Sequence, residues 1–126
     1  MNNLTVVAKE FVRLILSSSN AIALTGAGIS TESGIPDYRS PGTGLWDRID
    51  HSVVSLEGFL EDPTRYYSYS RELYPMRRSA KPNPAHYLLA ELEQKGFLKG
   101  VITQNVDGLH QDAGSKNVYE LHGSLR

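Results

Sequence analysis

Three short clusters in this 126-residue chain have residue types and spacing that could do chemistry. The first is Gly26-Ala27-Gly28, reached from the mostly apolar run Ala21-Ile22-Ala23-Leu24-Thr25. A glycine at such a turn can take φ > 0, and without Cβ it lets a pyrophosphate approach the backbone. A helix following the turn would point its free N–H groups at that anion. Gly26 and Gly28 fit the first two positions of a dinucleotide fingerprint. Thr31 stands where the third glycine belongs, and no clear acidic residue lies at the ribose spacing. A standard nicotinamide-dehydrogenase site is therefore not expected. The second cluster is Gln104-Asn105-Val106-Asp107, whose amides and carboxylate suit hydrogen bonding to a sugar and a carboxamide. The third is His122, the side chain best placed to take a proton near neutral pH. Each has a plainer reading. The turn could hold no ligand, Asn105 and Asp107 could only cap a helix at Gly108 to Ala113, and His122 could be structural.

The elements that must position these groups follow from apolar spacing. Leu4, Val7, Ala8, Phe11, Leu14 and Ile15 recur every three or four residues and predict an amphipathic helix with one apolar face, ended by Ser17-Ser18-Ser19-Asn20. The stretch from Ser33 to Asp50 holds Gly34, Pro36, Pro41, Gly42 and Gly44 and reads as a long irregular loop, of the kind that is functional or mobile. Leu56 to Tyr74 predicts two short helices separated by Pro63, with Tyr66, Tyr67, Tyr69 and Tyr74 as core packing. A sharper helix follows Pro82, capped by Asn83, with Pro84 at its first position and Gly96 at its end. Its buried stripe is expected to be Ala85, Leu88, Leu89 and Leu92. Gly100 to Thr103 and Asn117 to Leu121 predict two further buried strands. Strand, helices, strand, short helix, strand is the pattern of a parallel sheet with crossovers. In such sheets the ligand crevice lies beyond the carboxyl ends of the strands. All three polar clusters fall there, which favours a nucleotide or dinucleotide site with a general base over three coincidences.

Composition sets bounds. Forty per cent hydrophobic and 21% charged residues suit one globular domain, taken as residues 1–126. A net charge of −1 gives no basic excess for nucleic acid or an anionic membrane, and Arg77-Arg78-Ser79-Ala80-Lys81 reads as a solvated loop. Without cysteine the chain has no disulfide, thiol nucleophile or thiolate zinc site. No apolar run reaches membrane-span length and no signal peptide is visible, so a soluble, cytoplasmic protein is expected.

Together the motifs Gly26-Ala27-Gly28-Ile29-Ser30, Gly34-Ile35-Pro36-Asp37-Tyr38-Arg39, Thr103-Gln104-Asn105-Val106-Asp107 and Leu121-His122-Gly123 closely resemble the sirtuin family, the NAD-dependent protein lysine deacylases. Lys81-Pro82-Asn83-Pro84-Ala85-His86 and His110-Gln111-Asp112-Ala113-Gly114 also look like family sequence, and the resemblance runs from about Asn20 to Arg126. It implies an α/β, parallel-sheet, Rossmann-like NAD-binding fold of which this chain is the first half of the doubly wound sheet. It implies NAD as co-substrate and an acyl-lysine protein or peptide as partner. Gly26, Ala27, Gly28 and Thr31 would line the pyrophosphate and nicotinamide-ribose end, with Asp37, Tyr38 and Arg39 on the cofactor loop and Tyr38 shielding the reacting ribose. Gln104 and Asn105 would hydrogen-bond the ribose and an ordered water. Val106 and Asp107 would hold the carboxamide near Ile35, and His122 would be the general base. The acyl oxygen would attack the ribose carbon through an oxocarbenium-like transition state.

Members that favour acidic acyl groups carry a Tyr and an Arg three residues apart. Here Tyr67 is followed at that spacing by Ser70, with Arg71 one place out of register, so a small neutral acyl group such as acetyl is expected. A four-cysteine zinc module and the second half of the sheet would follow in the family and are absent from this chain. Their absence is read as truncation or natural loss. The expected consequence is an unpaired edge on the first strand, an uncovered apolar face and a chain that is marginal or self-associating and weakly active or inactive. Two other functions fit the same residues, a non-catalytic NAD or ADP-ribose-binding module and an NAD-hydrolysing enzyme in which water replaces the acyl oxygen.

Overall fold

The computed structural model describes residues 3–125, and its sheet and turns carry the polar clusters to one rim. Strands β1 (Ala23–Thr25), β2 (Val101–Thr103) and β3 (Val118–Glu120) pair in parallel in the order β1-β2-β3. The register sets Thr25 level with Thr103 and Thr103 level with Glu120, so the three carboxyl ends finish together. One face of the sheet is covered. Val101 is fully buried and Thr103 nearly so, with Leu98, Leu109 and Ala90 completing the adjoining core. The other face carries Leu24, Ile102 and Tyr119 in register, of which Leu24 is 69% and Tyr119 62% exposed.

Helix α1 (Asn3–Ser17) forms over the predicted span, but its apolar face is not buried among the described residues. Leu4, Val7, Phe11 and Leu14 are exposed. Periodicity locates an apolar face; it does not supply the surface that covers it. Helices α2 (Leu56–Glu61) and α3 (Pro63–Ser79) break at Pro63 as expected, with Ser55 capping the first and Asp62 the second. Gly58 of α2 is required to be glycine, because a Cβ there would meet the Ser52 carbonyl oxygen at 1.9 Å. Unlike the two short helices expected, α3 has 17 residues and runs through Pro75. Pro75 offers no N–H to the Arg71 carbonyl, so the helix passes it with one backbone hydrogen bond fewer. Phe59, Tyr66 and Tyr67 form an edge-on aromatic cluster, yet Tyr67 and Tyr74 are exposed rather than core residues.

Helix α4 (Pro84–Gln94) is capped as expected. Asn83 Oδ1 accepts the Ala85 N–H at 3.0 Å, and His86 Nδ1 accepts the Asn83 N–H at 3.3 Å. Its buried residues are His86 and Ala90, not the expected stripe, and Leu88 is 49% exposed. The helix meets α5 (Leu109–Asp112) through the face that bears His86. No helix among the described residues is long and apolar enough to cross a membrane.

Candidate functional site

The glycine turn departs from its expected geometry. Gly26 is extended (φ −145°, ψ −168°), and neither it nor Gly28 has positive φ. A tight 3-10 turn, Ala27–Ser33, follows in place of an α-helix and closes on Gly34 at φ 86°. Backbone conformation thus does not demand glycine at position 28. A Cβ there would meet nothing within 4 Å, and Gly28 lines a cavity of about 490 Å³. That open approach to the backbone fits a bound pyrophosphate. A larger cavity of about 1070 Å³ adjoins it, the two sharing Ala27, Tyr38, Val54, Gln104 and His122.

The larger cavity brings together Ala27 from the β1 end, Gln104, Asn105, Val106 and Asp107 from the β2 end, and His122 from the β3 end. Ile35 and Tyr38 line it as well, whereas Asp37, Arg39 and Gly28 line the smaller one. Gly26 and Thr31 line neither. The Thr31 hydroxyl instead donates to the Gly28 carbonyl at 2.9 Å, bracing the turn. His122 is exposed at the mouth, where Gly123, at φ 78°, lets the chain turn back.

A part-buried hydrogen-bond network locks the first two strand ends to each other. Asn105 Nδ2 donates to the Gly26 carbonyl at 3.1 Å and to Ser30 Oγ at 3.2 Å. Ser30, 1% exposed, donates to Asp107 Oδ2 at 2.7 Å. Asp107 Oδ1 accepts the Leu109 N–H at 3.0 Å, so this carboxylate both caps α5 and faces the cavity. The capping expected of Asp107 is present, and the same side chain lines the cavity. Sequence reasoning assigned no role to Ser30, because nothing local announces a partner 77 positions away.

The long loop is organised rather than irregular. Asp37 accepts from Ser40 N at 2.9 Å and Ser40 Oγ at 2.6 Å, and the Ser40 hydroxyl, then its N–H, hold that carboxyl below the usual range. Leu45 N and Trp46 N donate to the Asp37 and Tyr38 carbonyls. The Arg39 guanidinium lies 4.9 Å from the Trp46 ring centroid, and Tyr38 and His51 also pack on Trp46. Trp46 was not anticipated from sequence. Arg77, Arg78 and Lys81 were expected in a solvated loop, but the two arginines close α3 and all three line the larger cavity.

Burial pushes the His86 and His110 imidazoles below their ordinary range, and the neighbouring His86 ring lowers His110 further, against an opposing pull from Asp107. Neutral rings are thus favoured in the folded state, and the unfolded chain binds more protons just below its ordinary imidazole value. Stability is fully present above that value and lost as pH falls towards the folded ones. Urea midpoints are expected to fall between about pH 7.5 and 5.5, and less so in His110→Gln. Equal pH dependence in both proteins would contradict this.

The profile of the Sir2 family matches residues 26–126. This chain belongs to the Sir2 family. A Sir2 relative from Caldanaerobacter subterraneus subsp. tengcongensis, NAD-dependent protein deacetylase 2, is 53% identical over 119 residues, covering 94% of this chain and 48% of its own length. An NAD-dependent protein deacetylase from Sulfolobus acidocaldarius is 54% identical, with 94% and 47% covered. A solved Sir2–p53 peptide–NAD+ complex superposes with a TM-score of 0.82 at 49% identity, covering 93% of this chain and 46% of that one. A Sir2 variant with deacetylated p53 peptide and 3′-O-acetyl ADP ribose gives 0.87 at 49% identity, with 93% and 47% covered. The chain therefore spans about half the length of the Sir2 relatives it matches. The likeness establishes the α/β fold as part of a Rossmann-like domain. Zinc finds no fit here, since cysteine is absent and the described residues hold no group of three or more potential metal ligands.

Proposed function

We propose that this chain carries the nicotinamide–ribose end of the site of an NAD-dependent protein lysine deacetylase. The observation that carries the reading is that Ala27, Asn105 and His122, from three different strand ends, line one cavity. The names of the relatives, and neighbours solved with NAD+ and p53 peptide, support it.

Bound NAD supplies an electrophilic ribose carbon and nicotinamide as leaving group. The Ala27-Gly28 backbone would receive the pyrophosphate, the open space at Gly28 leaving it room, with Thr31 bracing the turn. Gln104 and Asn105 orient the ribose. Val106, Asp107 and Ile35 hold the carboxamide. Tyr38 shields the ribose from water, on a loop fixed by Asp37 and by Arg39 stacked on Trp46. His122 takes the proton from a ribose hydroxyl. Positioning of this kind can supply about 7–11 kcal/mol of the barrier.

The acyl group is a small neutral one. Ser70 lines the larger cavity, and the cations that also line it begin at Arg77, about 10 Å further along α3. Faster release with a succinyl-lysine than with an acetyl-lysine peptide would contradict this. The function itself is tested by nicotinamide release from NAD with and without an acetyl-lysine peptide. Release only with peptide is expected. Peptide-independent release would instead mark an NAD hydrolase, and NAD binding with no release would mark a binding module.

A further inference from the structure

Two buried imidazoles lie behind the glycine turn and line neither cavity. His110 of α5 is 1% exposed and His86 of α4 is fully buried, their ring centroids 4.9 Å apart. A hydrogen bond of 2.9 Å links His110 Nε2 and Thr25 Oγ1. Thr25 is the last residue of β1, directly before Gly26. The far side of the turn is held by the start of α4, where Asn83 Nδ2 donates to the Ile29 carbonyl at 2.7 Å and to Ser33 Oγ at 3.0 Å. Asn83 is in turn fixed by its backbone N–H to His86 Nδ1. The turn is thus gripped at its entry by α5 and at its exit by the α4 cap.

Packing alone is a poor reason for histidines here. His86 Nε2 and His110 Nδ1 are buried without a hydrogen-bond partner. A ring with an orphaned nitrogen is less favourable in a core than an apolar side chain of similar size. What an apolar residue could not do is hold the Thr25 hydroxyl. A backbone that binds a pyrophosphate must already be in place, because a shift of an ångström at such a site is costly.

We propose that His110 is a positioning residue, fixing through Thr25 the point at which the glycine turn begins, while His86 and Asn83 fix its end. Its consequence for NAD rests on the function proposed above; its consequence for the turn does not. Three variants of the 126-residue chain test it. Thr25→Val keeps shape and strand preference but deletes the hydroxyl, His110→Phe fills the space without the nitrogen, and His110→Gln keeps a polar group able to reach Thr25.

The deciding readout is amide exchange at Ile29, whose N–H donates to the Gly26 carbonyl at 3.1 Å within the turn, with Val101 of β2 as the global reference. Thr25→Val and His110→Phe are expected to speed Ile29 exchange by about tenfold relative to Val101, the scale of one lost buried hydrogen bond, with His110→Gln near wild type. Unchanged Ile29 exchange in Thr25→Val overturns the proposal, and so does a His110→Gln variant as loose as His110→Phe. Calorimetric NAD titration of the same proteins reads the other link. A wild-type chain that binds no NAD overturns the functional reading, whereas exchange at Ile29 decides the positioning role by itself.

Discussion

Replacing His122 with alanine is expected to lower peptide-dependent nicotinamide release by about 10²–10⁴-fold, the contribution typical of a positioned general base. The side chain is exposed where both cavities meet, so its removal leaves no hole in a core. Stability is expected to change by less than about 0.5 kcal/mol. NAD affinity is expected to stay close to wild type, because the loss falls on a proton transfer rather than on ground-state binding. Steady-state kinetics with a calorimetric NAD titration separates the two. A variant that loses NAD affinity and turnover in equal measure would assign His122 to binding, and one that keeps full turnover would remove it from the mechanism.

Asp107→Ala is expected to damage both fold and site. Its carboxylate accepts the Ser30 hydroxyl and the Leu109 N–H, two charge-assisted hydrogen bonds that join the glycine turn to α5. Deleting it strands the donor of Ser30, which is almost wholly buried, and a loss of about 2–3 kcal/mol is expected in urea unfolding. NAD affinity is expected to drop as well, because the proposed carboxamide partner and the anchor of the turn disappear together. Asp107→Asn keeps an acceptor for Leu109 and is expected to lie between wild type and alanine. Wild-type stability in the alanine variant would show the network to be unimportant to the fold.

Much of the site was legible in the sequence because it is tied to chain-local signals. Apolar runs ending in Gly26, Gln104 and His122 mark strand ends, and parallel pairing in one sheet sets those ends on one rim. The cap at Asn83 and the break at Pro63 were legible for the same reason, since caps and prolines act within a turn of themselves. What was missed depends on distant partners. Ser30 matters through Asp107, His110 through Thr25, and Trp46 through Tyr38 and Arg39. The spacing of α1 told which side is apolar, but not that this side would stand exposed. At Gly28 the conformational reason fails, since its φ is not positive, while the space a Cβ would take stands open.

Whether the three strand ends make one pocket for NAD is decided by NAD-induced shifts in the backbone amide spectrum of the 126-residue chain. Shifts concentrated at Ala27, Gly28, Gln104 to Asp107 and His122 are predicted. Shifts confined to other surfaces, or a spectrum unmoved by saturating NAD, would contradict it.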